Sequence, residues 1–320
     1  MALPNDIVHK DGSLNASLIV KKERLYQGMN GRFVERFYLS PKESYIFKPL
    51  TNNAQMGKET WIHEHVLSRF PAIYPKILAY SKHDNPDLSW MILEDLGPLS
   101  HEFTEETLLA VAKWMAWWHS LPLKSFADVP LTGLKPRIEA VVEDVCENKD
   151  ALLGMLPRLG LTGKQALHVF KQLDSFLFSK LQVLSHGDLH LGNYTVVKGK
   201  LIILDWEHAH LNTPYWDLYH LLDMSHPIFP KKVTKGFREQ VLGFYLDAVG
   251  LELESAAFIR EYYLFSAVYS MWMILLIQKD LLADAGKWSK EQLKRQLEET
   301  VSSLRQCAEA LDDLYTKKLT

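Results

Sequence analysis

Short apolar runs rich in β-branched and aromatic residues, separated by turn residues, occupy the first part of the chain, and this pattern predicts β-strands. The predicted strands cover residues 32–39, 45–48, 77–80 and 90–94. Residues 57–70 carry apolar side chains at helical spacing instead, so one helix is predicted among the strands. Leu96-Gly97-Pro98 then breaks regular structure and is expected to end this part of the fold.

The pattern after residue 98 is mostly helical. Thr104, followed by two glutamates, is a typical helix start, because acidic residues are favourable in the first turn. The predicted helices cover residues 104–121, 135–147, 164–180, 214–224, 233–249, 253–280 and 290–315. A strand-rich part followed by a helical part predicts an α+β chain with two domains, at residues 1–95 and 96–320.

A predicted β-hairpin interrupts the helical pattern. Apolar and β-branched residues lie on both sides of Lys198-Gly199-Lys200, which is a hairpin signal. Gly199 is six positions from both Asn193 and Asp205, so an antiparallel hairpin would place these two residues side by side at its open end. Asp188 lies five residues before Asn193, in the loop that leads into the first strand. We therefore expect two carboxylates and one amide oxygen to converge, which is the hard-oxygen environment that Mg²⁺ prefers.

The composition is that of an ordinary soluble globular protein, with 47% hydrophobic and 23% charged residues among 320. A net charge of -3 gives no electrostatic reason to expect a nucleic-acid partner or binding to an anionic membrane. The longest uncharged apolar run, residues 262–277, is too short for a membrane span and predicts a buried helix. The N-terminus lacks a secretory signal, and Cys146 and Cys307 suit reduced thiols, so a cytoplasmic location is expected. The oligomeric state is left open.

The order of polar residues around the hairpin matches the protein-kinase arrangement of a base Asp, an Asn five residues later and a metal-binding Asp after a hairpin. The sequence HGDLHLGN at residues 186–193, with DWE at 205–207, resembles the aminoglycoside phosphotransferase and choline kinase-like family. Leu191 replaces the proline that is usual in that family's motif. The resemblance implies a bilobal protein-kinase-like fold that uses ATP and Mg²⁺ to phosphorylate a hydroxyl of a small molecule.

The same resemblance implies residue roles. Asp188 would be the catalytic base, and Asn193 and Asp205 would be the metal ligands. Residues 1–95 would form the nucleotide-binding lobe, and residues 96–320 the lobe with the catalytic hairpin and the acceptor site. Asp217 matches a position that braces the catalytic loop in the family.

A lysine and a glutamate are expected at the nucleotide. Tyr45-Ile46-Phe47-Lys48 resembles the kinase strand that carries the phosphate-binding lysine, which makes Lys48 the candidate. Glu59 and Glu64 are both candidates for its partner, and the spacing to the following Pro-Lys strand favours Glu59 while leaving Glu64 possible. ATP and GTP remain alternatives as the nucleotide.

Backbone groups are expected to contribute further nucleotide contacts. Gly28 and Gly31 would let backbone N–H groups approach phosphate, although a plain hairpin explains these glycines nearly as well. The predicted hinge at residues 93–96, which includes Glu94 and Leu96, would bind adenine through its backbone.

The acceptor is open between amino-alcohols, sugars and aminoglycosides. One hypothesis is an aromatic box for an ammonium group, although packing in the core is the more common role of aromatic residues at helical spacing. The residues considered are Tyr215, Trp216, Tyr219, Tyr262, Tyr263, Tyr269 and Trp272.

Two other classes of function compete with the phosphotransferase. His186, Asp188 and His190 alternate like metal ligands, and His208 or His210 could complete the zinc site of a hydrolase. A non-catalytic kinase-like scaffold, such as a spore-coat or regulatory component, is the second alternative.

Overall fold

The computed structural model describes residues 3–126, 128, 129, 133, 136–250, 254–283 and 286–317. The chain forms two compact units. Unit 1 consists of Met1–Ser100 and Thr195–His208, and unit 2 consists of His101–Tyr194 and Ala209–Thr320. These units divide after Ser100 and place residues 195–208 with unit 1, whereas the sequence analysis assigned that hairpin segment to the second domain. The functional boundary between residues 95 and 96 stays a prediction.

Unit 1 contains a five-stranded antiparallel sheet in the order β1-β2-β3-β5-β4. Its strands are β1 (Lys21–Gln27), β2 (Phe33–Ser40), β3 (Glu43–Pro49), β4 (Ile77–Ser81) and β5 (Trp90–Glu94). Alternation along the strands buries Phe37, Phe47 and Ile92 together with Ile7, and Phe47 lies opposite Ile92 in the register. The four predicted strands are therefore confirmed, each to within two residues at either end.

The predicted helix of unit 1 is shorter than its apolar pattern. Helix α1 covers Lys58–His65, and a separate 3₁₀ turn follows at Leu67–Arg69. The predicted hairpin is confirmed as the paired strands β7 (Tyr194–Val197) and β8 (Lys200–Ile203). Its turn uses positive φ angles at Lys198 and Gly199, which explains the glycine at the centre of the turn.

Unit 2 is mainly helical, which together with unit 1 confirms the α+β class. Its helices are α2 (Glu105–His119), α3 (Ile138–Glu147), α4 (Lys149–Met155), α5 (Gly163–Leu173), α6 (Pro214–Leu222), α7 (Lys235–Val249), α8 (Ser255–Leu282) and α9 (Lys290–Lys317). Two short strands, β6 (Val183–Ser185) and β9 (His210–Asn212), pair antiparallel. Thr104 caps α2 by accepting a hydrogen bond from the Thr107 amide, as its position predicts.

Helix α5 ends earlier than predicted, so its extension to residue 180 is wrong. Beyond Leu173 the side chains alternate instead of following a helical face. Phe176 and Phe178 are half-buried and contact each other, while Leu177 between them is 92% exposed. This period of two is that of an extended chain, which leads into β6.

Helix α8 is the apolar helix expected from residues 262–277. Within the described ranges, it is the one helix whose length and composition would allow it to cross a membrane, and 56% of its apolar window is buried in the fold. It packs against α9, α3, α5 and α6, so the prediction of a buried helix is confirmed.

Candidate active site

A buried carboxylate on α6 holds the loop that precedes Asp188. Asp217 accepts hydrogen bonds from the Ser185 hydroxyl at 2.7 Å, from the His186 amide at 2.7 Å and from His119 Nε2 at 3.2 Å. Burial alone would raise the pKa of Asp217, but these hydrogen bonds and the nearby histidines hold it below its usual range. The contacts are those expected of a bracing residue, because an ionised carboxylate fixes the backbone just before Asp188.

The Asp188 loop is also closed by Asn193. The Asn193 amide nitrogen donates to the Asp188 backbone oxygen at 2.7 Å and lies 3.4 Å from Asp188 Oδ2. His190 Nδ1 accepts the Gly192 amide at 3.0 Å, so the proton of a neutral His190 ring lies on Nε2. That Nε2 lies 3.5 Å from Asp188 Oδ2, and the Asp188 side chain retains 20% exposure. Asp188 is thus oriented by the loop and still accessible.

In unit 1, Lys48 of β3 lies among three carboxylates. Its Nζ is 2.6 Å from Glu59 Oε2, 2.8 Å from Asp205 Oδ1 and 3.9 Å from Glu207 Oε2. Burial alone would lower the pKa of Lys48, but the carboxylates hold it well above its usual value. Burial also raises the pKa of Glu59 to about 7, and the neighbouring negative charges add to this rise although Lys48 opposes it. Lys48 is therefore a charged, half-buried ammonium.

Glu59, not Glu64, is the helix glutamate that contacts Lys48. Glu64 accepts a hydrogen bond from Tyr80 and forms an ion pair with Lys82 at 2.5 Å. The two glutamates are five positions apart and point in different directions because a helix turns every 3.6 residues or so. Of the two candidates, Glu59 is therefore the partner of Lys48, while its role at a nucleotide stays a prediction.

Asp205 has an unusual backbone conformation, with φ of 58° in the left-handed region. This conformation is costly for most residues but tolerated by Asp and Asn. The next residue, Trp206, is buried, packs edge-on to Phe70 at 5.3 Å and donates from its indole N–H to the Ile203 carbonyl at 3.3 Å. Packing of Trp206 thus fixes the segment that presents Asp205 to Lys48.

Three carboxylates around one ammonium form a candidate cation site. Glu59, Asp205 and Glu207 offer oxygens that lie within 4.8 Å of one another. Hard oxygen ligands with excess negative charge suit Mg²⁺, so the donor set of unit 1 fits the metal that the sequence implies. Glu207 was missed by the sequence analysis, although its place two residues after Asp205 was a usable signal. The approach of Asn193 to Asp205 stays a prediction.

The zinc alternative receives no support from this geometry. Among the residues that the structure describes, the only group of histidine, cysteine or acidic side chains close enough to share a metal is the carboxylate group of unit 1. His186 Nδ1 accepts the Asp188 amide at 3.3 Å, and His210 Nε2 lies 2.9 Å from the Asn212 amide nitrogen. The alternating histidines therefore have local hydrogen-bonding roles in the described structure.

A cavity of about 270 Å³ lies beside Lys48 within unit 1. Its lining includes Lys48, Thr51, Glu59, Met91 and Glu207. A cavity lined by the Lys48 ammonium, the carboxylates of Glu59, Asp84 and Glu207, and apolar side chains such as Met91 can hold part of a charged ligand.

The two candidate phosphate-loop glycines form the turn between β1 and β2. The Gly28 amide donates to Arg32 at 2.7 Å, and the Gly31 amide donates to Gly28 at 3.0 Å. A Cβ on Gly28 would lie 2.4 Å from Thr51 Cβ, so the close approach of Thr51 itself requires glycine there. Turn geometry and packing account for both glycines, and their contact with phosphate stays a prediction.

The predicted hinge is fixed by hydrogen bonds. The Glu94 amide donates to the Lys76 carbonyl at 3.0 Å, and Leu96 follows in an irregular, half-buried segment. Asp95 between them accepts from Arg36 at 2.7 Å and from Ser44 at 2.6 Å. Burial would raise the pKa of Asp95, but these hydrogen bonds lower it. Asp95 organises the hinge, and the adenine contacts of Glu94 and Leu96 stay predictions.

The aromatic box proposed for an ammonium acceptor is wrong. Its tyrosines and Trp216 are at most 2% exposed and pack on one another in the core of unit 2, as Tyr219 and Tyr269 do at 4.7 Å between ring centroids. Trp272 is half-buried and donates to Asp144 at 2.8 Å. The full set is Tyr215, Trp216, Tyr219, Tyr262, Tyr263, Tyr269 and Trp272. These aromatic residues at helical spacing therefore pack the core, which is their more common role.

A different aromatic group adjoins the Asp188 loop. His226 stacks on His190 at 4.6 Å between centroids, and both Phe229 and Trp288 contact His226. A Cβ on Gly192 would lie 2.3 Å from the Phe229 ring, so the ring packs directly on the loop. No sequence pattern indicated this group, because its members come from three separate segments of the chain.

A second cavity, of about 500 Å³, lies in unit 2 and contains a buried lysine. Lys231 Nζ donates to the carbonyls of His220 at 2.8 Å and Leu221 at 2.7 Å, at the C-terminal end of α6. Burial lowers the pKa of Lys231 to about 7, although Asp223 and Glu299 oppose this. A cation at a helix C-terminus is favourable, so Lys231 stabilises the end of α6.

This lysine makes the stability of the protein depend on pH. Between about pH 7 and the usual lysine pKa of 10.5, the unfolded chain binds more protons at Lys231 than the folded chain does. The free energy of unfolding therefore gains a contribution that rises with pH across this window. We expect the difference in free energy of unfolding between wild type and Lys231→Met to rise by several kcal/mol across this pH window, at about 1.4 kcal/mol per pKa unit. Denaturant titrations at several pH values measure this difference. The exposed neighbour serves as a control: Lys232→Met should leave the pH slope unchanged, and an equal slope in both variants would refute the assignment.

The sequence and fold were compared with known proteins. The profile of the phosphotransferase enzyme family matches residues 74–258, which is more than half of the chain. A search of the curated proteins gave no match.

Solved structures share the fold. A protein provisionally named aminoglycoside phosphotransferase from Ralstonia eutropha JMP134 aligns over 93% of this chain and 95% of its own, with 11% identity and a TM-score of 0.58. Choline kinase from Cryptosporidium parvum aligns over 96% and 94%, with 15% identity and a TM-score of 0.56. Spectinomycin phosphotransferase in complex with ADP and spectinomycin aligns over 90% and 94%, with 14% identity and a TM-score of 0.53.

Proposed function

The chain belongs to the phosphotransferase enzyme family, and we propose that it transfers the γ-phosphate of ATP to a hydroxyl group of a small molecule. The observation that carries this proposal is the half-buried Lys48 ammonium, held between Glu59 and Asp205. In kinases, a strand lysine paired with a helix glutamate binds the nucleotide phosphates. The braced Asp188 loop supplies the second half of the chemistry.

Asp188 is the proposed base. Its carboxylate accepts the proton of the acceptor hydroxyl as the oxygen attacks the γ-phosphorus, and Asn193 keeps the loop closed around it. Asp217 holds the backbone that precedes Asp188, so the carboxylate does not have to be reoriented during the reaction. Catalysis of this kind depends on positioning and electrostatics, with little covalent chemistry for the protein.

Lys48, Asp205 and Asn193 are the proposed ligands of the nucleotide and its metal. Lys48 neutralises charge on the phosphates, and Glu59 holds its ammonium in place. Asp205 and Asn193 would hold Mg²⁺, which stabilises the negative charge on the transferred phosphoryl group when it is bound. Glu207 adds a further carboxylate near the Lys48 ammonium, at 3.9 Å from its Nζ.

The proposed partner is a small molecule with a free hydroxyl group. Amino-alcohols, sugars and aminoglycosides remain the candidate acceptors, and burial of the aromatic residues removes the argument for an aromatic box that would bind an ammonium group. We also propose a cytoplasmic location, which suits two cysteines that are far apart in sequence, and no nucleic-acid or membrane partner, which rests on composition and charge.

Release of ADP from ATP and Mg²⁺ across a panel of hydroxyl compounds tests the activity. Thermal unfolding tests the nucleotide separately, since a ligand at a hundred times its dissociation constant stabilises the folded state by about 2.7 kcal/mol. We expect Lys48→Met to lose this stabilisation and Lys58→Met, on the exposed side of α1, to keep it. Stabilisation by nucleotide without turnover of any acceptor would favour a non-catalytic scaffold. If the nucleotide does not stabilise the protein and no acceptor is turned over, the proposal is refuted.

A further inference from the structure

A second histidine of unit 2 faces the Asp188 carboxylate. His220 lies on α6, three residues after Asp217, and its ring is fully buried. Residues three apart share one face of a helix, so the face that braces the loop also carries His220 toward Asp188. The distance between His220 Nε2 and Asp188 Oδ1 is 3.9 Å.

The hydrogen bonding of His220 fixes which nitrogen faces the carboxylate. Nδ1 lies 2.8 Å from the carbonyl oxygen of Trp216, one turn earlier on α6. A carbonyl oxygen only accepts, so Nδ1 carries a proton and donates it. Nε2 then faces Asp188 Oδ1, and because a carboxylate oxygen only accepts, the two groups attract each other as an ion pair in the form of the ring that carries a proton on both nitrogens.

The ring has little freedom to turn away. It stacks on Trp216 at 5.1 Å between centroids and contacts Tyr219 edge-on at 5.9 Å. Lys231 binds the His220 carbonyl, which holds this turn of α6 in place. Side chains locked in this way are suited to orient a neighbouring group, because they do not lose freedom when the contact forms.

The other oxygen of Asp188 faces different nitrogens. Oδ2 lies 3.5 Å from His190 Nε2 and 3.4 Å from the Asn193 amide nitrogen. Nitrogens from the loop thus lie near Oδ2, and a nitrogen from α6 lies near Oδ1. The loop contribution is local in sequence, whereas the contact with His220 comes from α6.

We propose that His220 is a positioning residue, which orients the Asp188 carboxylate through Nε2 so that Asp188 meets the acceptor hydroxyl correctly. This inference rests on the proposed function, since it assigns a task within the same reaction. His220 does not touch the acceptor or the nucleotide in this scheme and acts only through Asp188.

Two substitutions separate this role from a structural one. An asparagine amide nitrogen reaches about as far as Nδ1, so His220→Asn keeps the donor to Trp216 and loses the atom that faces Asp188. A glutamine amide reaches about as far as Nε2, so His220→Gln retains a nitrogen toward Asp188. We expect His220→Asn to lower kcat about 10–100-fold, which is the range known for groups that orient metal-binding side chains from behind. His220→Gln should restore most of this loss, and the KM values for ATP and acceptor should change little in both.

The matched control is His168→Asn on α5, where the histidine pairs with Asp312 at 3.2 Å instead of contacting the loop. It should leave kcat unchanged. Equal losses of kcat in the Asn and Gln variants, or a loss that follows the melting temperature, would overturn the positioning role. Turnover of His220→Asn equal to wild type would also overturn it.

Failure of this inference and failure of the proposed function are distinguishable. If Asp188→Asn is inactive while His220→Asn has normal kcat, the inference alone is wrong. If Asp188→Asn is fully active, the assignment of the base fails as well. Should the His220 variants not fold, ¹⁵N spectra of the histidine rings decide the question: Asp188→Asn should move the Nε2 signal of His220 more than its Nδ1 signal, and an unmoved Nε2 signal overturns the proposal.

Discussion

Asp188→Asn is expected to lower turnover by about 10²–10⁴-fold, the usual range for loss of a general base. The amide has the shape of the carboxylate, so the contacts with Asn193 and His190 are largely kept while the proton acceptor is lost. Nucleotide binding should remain near the wild-type value because the Lys48 group lies in unit 1. Initial rates of ADP release and nucleotide titrations measure the two properties.

A matched variant guards against a general effect of removing a charge. Asp247→Asn makes the same chemical change at an exposed position of α7 and should have no effect on the rate. Turnover of Asp188→Asn within about tenfold of wild type would remove Asp188 from the role of base.

Asp205→Asn is expected to abolish the stabilisation that ATP gives in the presence of Mg²⁺. Asparagine tolerates the left-handed conformation at this position, so the backbone is kept while the charged metal ligand is lost. At a hundred times the wild-type dissociation constant, the expected loss is about 2.7 kcal/mol in thermal or denaturant unfolding. Asn193→Ala should cost less, because it removes a neutral oxygen.

The unfolding of wild type and Asp205→Asn must also be measured without nucleotide, since Asp205 forms an ion pair with Lys48 and the substitution removes it. A variant that loses only the Mg²⁺-dependent part of the stabilisation supports the metal role. A nucleotide-bound structure with Mg²⁺ held by residues other than Asp205 and Asn193 would contradict it.

Local patterns allowed much of the fold to be predicted. The hairpin at Gly199 and the strand that carries Lys48 depend on alternation and turn residues within a few positions, and both were predicted correctly. The bracing contacts of Asp217 were expected from a motif, since the residues before Asp188 and the helix start are each recognisable. These features are encoded close to where they act.

Features that depend on side-chain direction or tertiary packing could not be decided from the sequence alone. Choosing Glu59 over Glu64 needs the angular phase of a helix against a sheet, and the sequence gives only the spacing. The aromatic residues of α6 and α8 have a composition compatible with either a ligand box or a core, and only their burial decides between the two. His220 lies in an apolar helix pattern, and its approach to Asp188 depends on how α6 packs against the loop.

The arrangement around Lys48 has a consequence for selectivity between metal-free and metal-bound nucleotide. Without ligand, Asp205 already neutralises the ammonium that a phosphate would need, so an incoming phosphate competes with a carboxylate of the same charge. Free ATP would bring further negative charge beside Asp205 without a cation to replace Lys48, which is unfavourable because like charges repel. In the magnesium complex of ATP, Mg²⁺ would replace the Lys48 ammonium as the cation beside Asp205. The proposed function therefore predicts that this protein binds the magnesium complex of ATP more tightly than it binds free ATP.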